Sequence, residues 1–126
     1  MRKNIFTVVM LMTIATTHTL AAEPQYTRQD SLKAVQLMKN AASQPSGANL
    51  IIYLAEQLKD IPYVAHTLEP NNNERLIVNL SQLDCTTFVE QVTALYLCVK
   101  ERKTTFADYC KMLQKLRYEG GAAPHY

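Results

Sequence analysis

The stretch Leu83-Asp84-Cys85-Thr86-Thr87-Phe88-Val89-Glu90-Gln91 decides the fold, because it joins a helix-capping residue to a run with helical apolar spacing. The run predicts a helix from about Cys85 to Lys100, with Cys85 in its first turn. Cys85 falls on the same side as the predicted apolar face, which carries Phe88, Val89, Val92, Leu95, Tyr96 and Val99. The spacing therefore predicts a largely buried central helix.

The position of Cys85 affects the ionisation of its thiol in two opposing ways. The first backbone N–H groups of a helix lack intrahelical partners, and the positive end of the macrodipole stabilises a thiolate there. Asp84 is a suitable N-cap, but its negative charge opposes ionisation of the neighbouring thiol. Thr87 stands where a capping box would have Glu or Gln, so Asp84 is expected to cap alone. The Cys85 backbone N–H is a candidate oxyanion donor.

The first 22 residues have the pattern of an export signal. Arg2 and Lys3 precede the apolar run 5–15, and Thr19-Leu20-Ala21-Ala22 offers small residues for cleavage. We therefore predict a signal peptide over 1–22, a domain over 23–126, and a periplasmic or secreted location. The apolar run is too short and too interrupted by threonine to predict a stable membrane span.

Removing the signal peptide changes the charge balance. The chain has 13 Lys and Arg and 11 Asp and Glu, and Arg2 and Lys3 both lie in the predicted signal. The remaining chain is therefore neutral at pH 7. Nucleic acids and anionic membranes require a sustained positive surface, so neither is predicted as a partner.

The three cysteines show no zinc-ligand spacing, and no metal or cofactor is predicted. Cys85 and Cys98 would be separated by a rise of about 20 Å along one helix, which excludes a bridge between them. Cys98 and Cys110 could pair across two helices, or both could be small buried apolar residues. In either case Cys85 is left as the unpaired thiol.

Three further helices and one β-hairpin are predicted from the same kind of pattern. The helices span about 29–42, 48–59 and 105–116, the first capped by Asp30 or Ser31 and the last ended by Gly120 or Gly121. The hairpin joins extended runs within 62–80 through a turn at 71–73.

Several strings together resemble a known family of exported bacterial enzymes. They are Pro62-Tyr63-Val64 with Thr67-Leu68-Glu69, Leu76-Ile77-Val78-Asn79-Leu80, Leu83-Asp84-Cys85-Thr86-Thr87-Phe88-Val89-Glu90, and Leu116-Arg117-Tyr118. The chain resembles the N-acetylmuramoyl-L-alanine amidase-like branch of the NlpC-type cysteine peptidases. The resemblance covers residues 50–126, and the Asp-Cys-Thr-Thr-Phe-Val-Glu string is its most specific part.

The resemblance implies a papain-like α+β fold in which a cysteine at the start of a buried helix faces a histidine on a β-sheet. It implies that Cys85 is the catalytic nucleophile and that Tyr63 lines the substrate-binding cleft. The family's catalytic histidine lies downstream of the Arg-Tyr motif, on strands absent from this sequence. The expected fold is therefore the helical half of that architecture, mainly α with a short β-hairpin, lacking the C-terminal β-sheet.

Two histidines follow the predicted signal, but neither is interpreted as the base. His66, on the predicted hairpin, is interpreted as a residue with a solvent or backbone partner, because a Cys/His pair needs exact geometry. His125 lies near the end of the sequence, where chains are usually poorly ordered. Glu90 is expected to be solvated or ion-paired.

The resulting hypothesis is a partial, exported cell-wall amidase acting on the N-acetylmuramoyl-L-alanine bond. Peptidoglycan or muropeptide fragments are its expected partners, and the 126 residues alone are expected to be inactive. The alternative is a non-catalytic module that binds cell-wall fragments or a partner protein. A transglutaminase-like acyltransferase would require the same absent histidine.

Overall fold

The computed structural model describes residues 23–68 and 75–118 of the 126-residue chain. The helices in these ranges are α1 (Arg28–Ala42), α2 (Leu50–Leu58), α3 (Cys85–Lys100) and α4 (Phe106–Arg117). α3 lies at the centre and packs against each of the other three. The structure thus confirms the predicted central helix, and its mainly helical content is compatible with the predicted helical half.

Each helix begins at a polar residue that caps it. Thr27, Asn49, Asp84 and Thr105 accept hydrogen bonds from the third backbone N–H of α1, α2, α3 and α4 respectively. The predicted cap of α1 at Asp30 or Ser31 is wrong. Asp30 instead occupies the third position, where its carboxylate accepts from the Thr27 N–H at 2.8 Å and completes a capping box.

The predicted β-hairpin is wrong for the described residues. Its two runs form isolated parallel bridges with other partners, Tyr63 with Leu83 and Ile77 with Gln25. The Gln25 N–H donates to the Leu76 carbonyl at 2.8 Å, and the Val78 N–H donates to the Gln25 carbonyl at 2.9 Å. The alternating pattern predicted an extended backbone but could not identify its partner.

Several predicted features lie outside the described residues. They are the signal peptide over 1–22, the hairpin turn at 71–73, the helix-ending Gly120 and Gly121, and His125. Among the described helices, none is long and apolar enough to cross a membrane.

A buried carboxylate anchors the 76–83 segment to α1. Asp30 is 4% exposed and accepts from the Leu80 N–H at 2.9 Å as well as from Thr27. Lys33 Nζ donates to the Leu80 carbonyl at 3.2 Å. Because this segment leads directly into α3, the anchor fixes the approach of the chain to Cys85.

The apolar core is formed by residues from all four helices and from the 76–83 segment. Its largest fully buried apolar side chains are Met38, Leu54, Leu58, Leu80, Leu95, Tyr109 and Leu113.

Candidate functional site

Cys85 is exposed at the first position of α3. Its position is fixed by a reciprocal cap between the residues on either side. The Thr87 N–H donates to Asp84 Oδ1 at 2.8 Å, and the Asp84 N–H donates to Thr87 Oγ1 at 2.9 Å. Asp84 therefore does not cap alone, because the threonine hydroxyl replaces the usual Glu or Gln.

Asp84 places a negative charge beside the thiol. The pKa of the Asp84 carboxyl lies below its ordinary value of 3.8. The largest cause is the hydrogen bond from the Thr87 backbone N–H, which outweighs the opposing effect of burial. The Thr87 hydroxyl, the Thr86 N–H and the charge of His66 lower the pKa further. The carboxylate is therefore ionised at neutral pH, and its first-turn partners are the N–H groups of Thr86 and Thr87. Within the described residues, the Cys85 N–H makes no hydrogen bond.

The face of α3 that carries Cys85 is not buried at its N-terminal end. Val89, one turn after Cys85, is 61% exposed, although it was predicted to lie in the core. The buried positions are Thr87, Gln91, Val92, Ala94, Leu95 and Cys98. The other helices thus cover a side of α3 rotated away from the predicted apolar face. Because the run is apolar nearly all round, its spacing alone could not select the buried side.

Tyr63 is 70% exposed and lies in the segment that pairs with the residue two positions before Cys85. The Leu83 N–H donates to the Pro62 carbonyl and the Val64 N–H donates to the Leu83 carbonyl, both at 3.1 Å. This pairing brings the Tyr63 segment beside the start of α3.

His66 is exposed and adopts a left-handed backbone conformation, with φ of 62°. Its charge acts on Asp84, which places the imidazole in the electrostatic neighbourhood of the helix start. A left-handed backbone is costly for a residue with a Cβ, so the surrounding turn must hold it in place.

A cleft of about 510 Å³ lies next to this segment. Its lining residues come from 25–30, 64–67 and 77–82, and they include Asp30, His66 and Gln82. Neither Cys85 nor Tyr63 lines it, so the cleft and the exposed thiol are separate features. No motif in the sequence indicated the cleft, because three distant segments form it.

Glu90 is ion-paired, in agreement with one of the two environments expected for it. Arg117 Nε lies 3.0 Å from Glu90 Oε2, and the two side chains are 5% and 18% exposed respectively. Arg117 Nη1 also donates to the Ile77 carbonyl at 2.5 Å. The pair therefore joins α3, α4 and the 76–83 segment. The two residues are 27 positions apart, and no local pattern in the sequence connects them.

Metal binding has no candidate site in the described ranges: no group of three or more His, Cys, Asp or Glu side chains there is placed to hold an ion.

The fold and site define a small, mainly helical protein with an exposed cysteine at the start of its central helix. Residues 53–126 match the family model described as AmiA-like, N-acetylmuramoyl-L-alanine amidase-like. The chain belongs to this family, and its membership suggests a peptidoglycan amidase-like function with a peptidoglycan-related substrate. Neither the curated proteins nor the solved structures gave a significant match.

Proposed function

We propose that this protein is part of an exported peptidoglycan amidase that cleaves the N-acetylmuramoyl-L-alanine bond with Cys85 as its nucleophile. The observation that carries the proposal is a difference between Cys85 and its neighbours in the stretch 83–91. Asp84, Thr87 and Glu90 each make structural hydrogen bonds or an ion pair, whereas Cys85 is exposed. Cysteine is among the residues most often buried, so an exposed one at a helix start calls for a chemical role.

In the proposed reaction, Cys85 Sγ attacks the lactyl carbonyl carbon and the C–N bond to L-alanine breaks. A histidine accepts the thiol proton and returns it to the leaving amine. Water then hydrolyses the thioester, which releases the muramic acid carboxylate and restores the thiol. The Cys85 N–H, which makes no hydrogen bond to the described residues, is suited to stabilise the oxyanion.

The catalytic base is proposed to come from a β-sheet that is not among the described residues, as in a papain-like NlpC-type fold. His66 is the only histidine in the described ranges, and its charge acts on Asp84. On this proposal the 126 residues form the helical part of the enzyme and do not turn over substrate by themselves. Tyr63 would line the substrate cleft beside Cys85, and export would depend on residues 1–22.

A muropeptide assay tests the proposal. The full chain, Cys85→Ser and the matched control Cys110→Ser would be incubated with N-acetylmuramoyl-L-alanyl-D-isoglutamine, and the released dipeptide measured. We expect no turnover by any of them. We also expect a muramoyl chloromethyl ketone to alkylate Cys85 in the full chain and in Cys110→Ser, but no residue in Cys85→Ser.

Each other outcome has a distinct meaning. Hydrolysis by the full chain that Cys85→Ser abolishes would support Cys85 as the nucleophile. It would also show that no further segment is needed to supply the catalytic base. Hydrolysis that survives in Cys85→Ser would overturn the cysteine mechanism. Failure of the ketone to label Cys85 would also count against it.

The cleft favours a second candidate function, a module that binds cell-wall fragments without cleaving them. Its lining includes amide, hydroxyl and imidazole side chains and does not include Cys85. Muropeptide binding measured by calorimetry would support this function if Gln82→Ala weakened it at least tenfold while Cys85→Ser left it unchanged.

A further inference from the structure

Two cysteines that the proposed function does not use lie in the packing between α3 and α4. Cys98 is fully buried and Cys110 is 7% exposed, and both belong to the apolar core. Both are thiols in the structure. Their shared location raises the question of whether they can be cross-linked.

The short connection between the two helices is typical of a helical hairpin, in which the helices run antiparallel. They pack against each other and are joined by residues 101–105 alone. The Lys103 N–H donates to the Cys98 carbonyl at 2.9 Å, and the Arg102 N–H donates to the Val99 carbonyl at 3.1 Å. This pair of bonds, with Arg102 at φ of 57°, is a Schellman motif that reverses the chain immediately after α3.

The hairpin brings the two cysteines to nearly the same height. Cys98 lies two residues before the end of α3 and Cys110 four residues after the start of α4, so their heights differ by about 3 Å. If the two Cα atoms lie on the facing sides of helices whose axes are about 8 to 10 Å apart, their separation at that offset is roughly 4.5 to 6 Å. Disulfides span Cα separations of about 4.4 to 6.8 Å.

The ionisation of the two thiols is also coupled. Burial raises the pKa of the Cys98 thiol to about 11 and that of the Cys110 thiol to about 11. A negative charge on Cys98 raises the pKa of Cys110 further. Such an effect weakens with distance, so it supports a short separation between the two groups.

We propose that Cys98 and Cys110 form a disulfide across the α3–α4 hairpin when the chain folds in the presence of a disulfide oxidant. This inference does not rest on the proposed function. Two thiols lose two protons and two electrons to one molecule of glutathione disulfide, which becomes two molecules of glutathione. The bond formed is Cys98 Sγ–Cys110 Sγ, and Cys85 remains a thiol.

Oxidation is expected to precede closure of the hairpin. The thiolate is the attacking species, and buried thiols with a pKa of about 11 supply little of it at neutral pH. In the unfolded chain both thiols are exposed and ionise more readily. The fold then selects the Cys98–Cys110 pair, because Cys85 and Cys98 lie at opposite ends of α3.

The test uses the full chain carrying Cys85→Ser. No lysine or arginine lies between positions 85 and 98, so trypsin would leave Cys85 and Cys98 on the same peptide, 76–100. With Cys85 replaced by serine, any link to this peptide must come from Cys98. The protein would be reduced, unfolded and refolded with glutathione and glutathione disulfide, alkylated, digested without reductant and analysed by mass spectrometry. We expect peptide 76–100 linked to peptide 104–111, with the link lost on reduction.

Two control variants and a second route keep the test decisive. Cys98→Ser and Cys110→Ser, each combined with Cys85→Ser, should give no intramolecular link. Oxidation of the folded, reduced chain with diamide needs no refolding and should give the same linked peptides more slowly, because the buried thiols supply little thiolate. In the linked protein, dithiothreitol should lower the Tm, while leaving the Tm of the two control variants unchanged. Recovery of both peptides unlinked by both routes, or no change in Tm on reduction, would overturn the proposal.

Discussion

Removing one partner of the Glu90–Arg117 ion pair should strongly destabilise this fold, because both side chains are largely buried. Glu90→Gln keeps the shape of the side chain but removes its charge. The Arg117 side chain would then remain 95% buried without its carboxylate, with the Ile77 carbonyl as its remaining hydrogen-bond partner among the described residues. We therefore expect the free energy of unfolding to fall because a buried charge loses its compensation.

The magnitude follows from the exposure of the two groups. Removing one partner of a buried ion pair costs about 3 to 5 kcal/mol. Glu90 is 18% exposed and glutamine can still accept a hydrogen bond, so we expect about 2 to 3 kcal/mol for Glu90→Gln. Replacing both residues, Glu90→Gln with Arg117→Met, should cost less than the sum of the two single changes, because it leaves no unpaired charge.

Urea denaturation followed by far-ultraviolet circular dichroism measures these differences. The matched control is Glu101→Gln, which removes the carboxylate of the Glu101–Lys103 pair, where the side chains are 48% and 58% exposed. Exposed pairs contribute about 0 to 1 kcal/mol, so its effect should be small. If Glu90→Gln and Glu101→Gln destabilised the protein equally, or if the double variant showed simple additivity, the structural role given to Glu90 would be refuted.

Three further predictions use the same denaturation assay. Arg102→Gly should stabilise the protein by about 1 kcal/mol, because glycine adopts the left-handed conformation at φ of 57° without strain; a loss of stability would contradict this. Tyr109→Phe should be neutral or stabilising by up to about 1 kcal/mol, because it removes a buried hydroxyl without a hydrogen-bond partner in the described residues. A loss of stability above about 2 kcal/mol would show that the hydroxyl is hydrogen-bonded. The lowered pKa of Asp84 adds stability that is present above about pH 4 and is lost as the pH falls through the folded-state pKa. Asp84→Asn should therefore destabilise the protein more at pH 7 than at pH 3. An equal effect at both pH values would refute the stabilising role given to the Asp84 carboxylate.

Local signals in the sequence predicted the helices well. The Asp84 cap and the apolar run after it predicted the bounds of α3, and Thr105 before Phe106 has the expected capping chemistry. These features are encoded by residues within one turn of each other, so no tertiary information is needed to interpret them.

Partners in space were predicted less well than elements along the chain. The run 76–80 was correctly extended, but its bridge to Gln25 joins segments about fifty residues apart. The Glu90–Arg117 pair and the 510 Å³ cleft likewise join separate segments. The buried side of α3 depended on which faces the other helices cover, which an almost uniformly apolar run does not specify.

The geometry at the start of α3 constrains how the proposed active site would be completed. The Thr87 N–H is bonded to Asp84, which leaves the Cys85 N–H as the first-turn donor without a hydrogen bond in the described residues. Cys85 and Val89 are exposed on adjacent turns of the same face. On the proposed mechanism, the element that supplies the base must approach from this face. The same element would cover Val89 and exclude water from the thioester, so one docking event would bury apolar surface and complete the Cys/His pair.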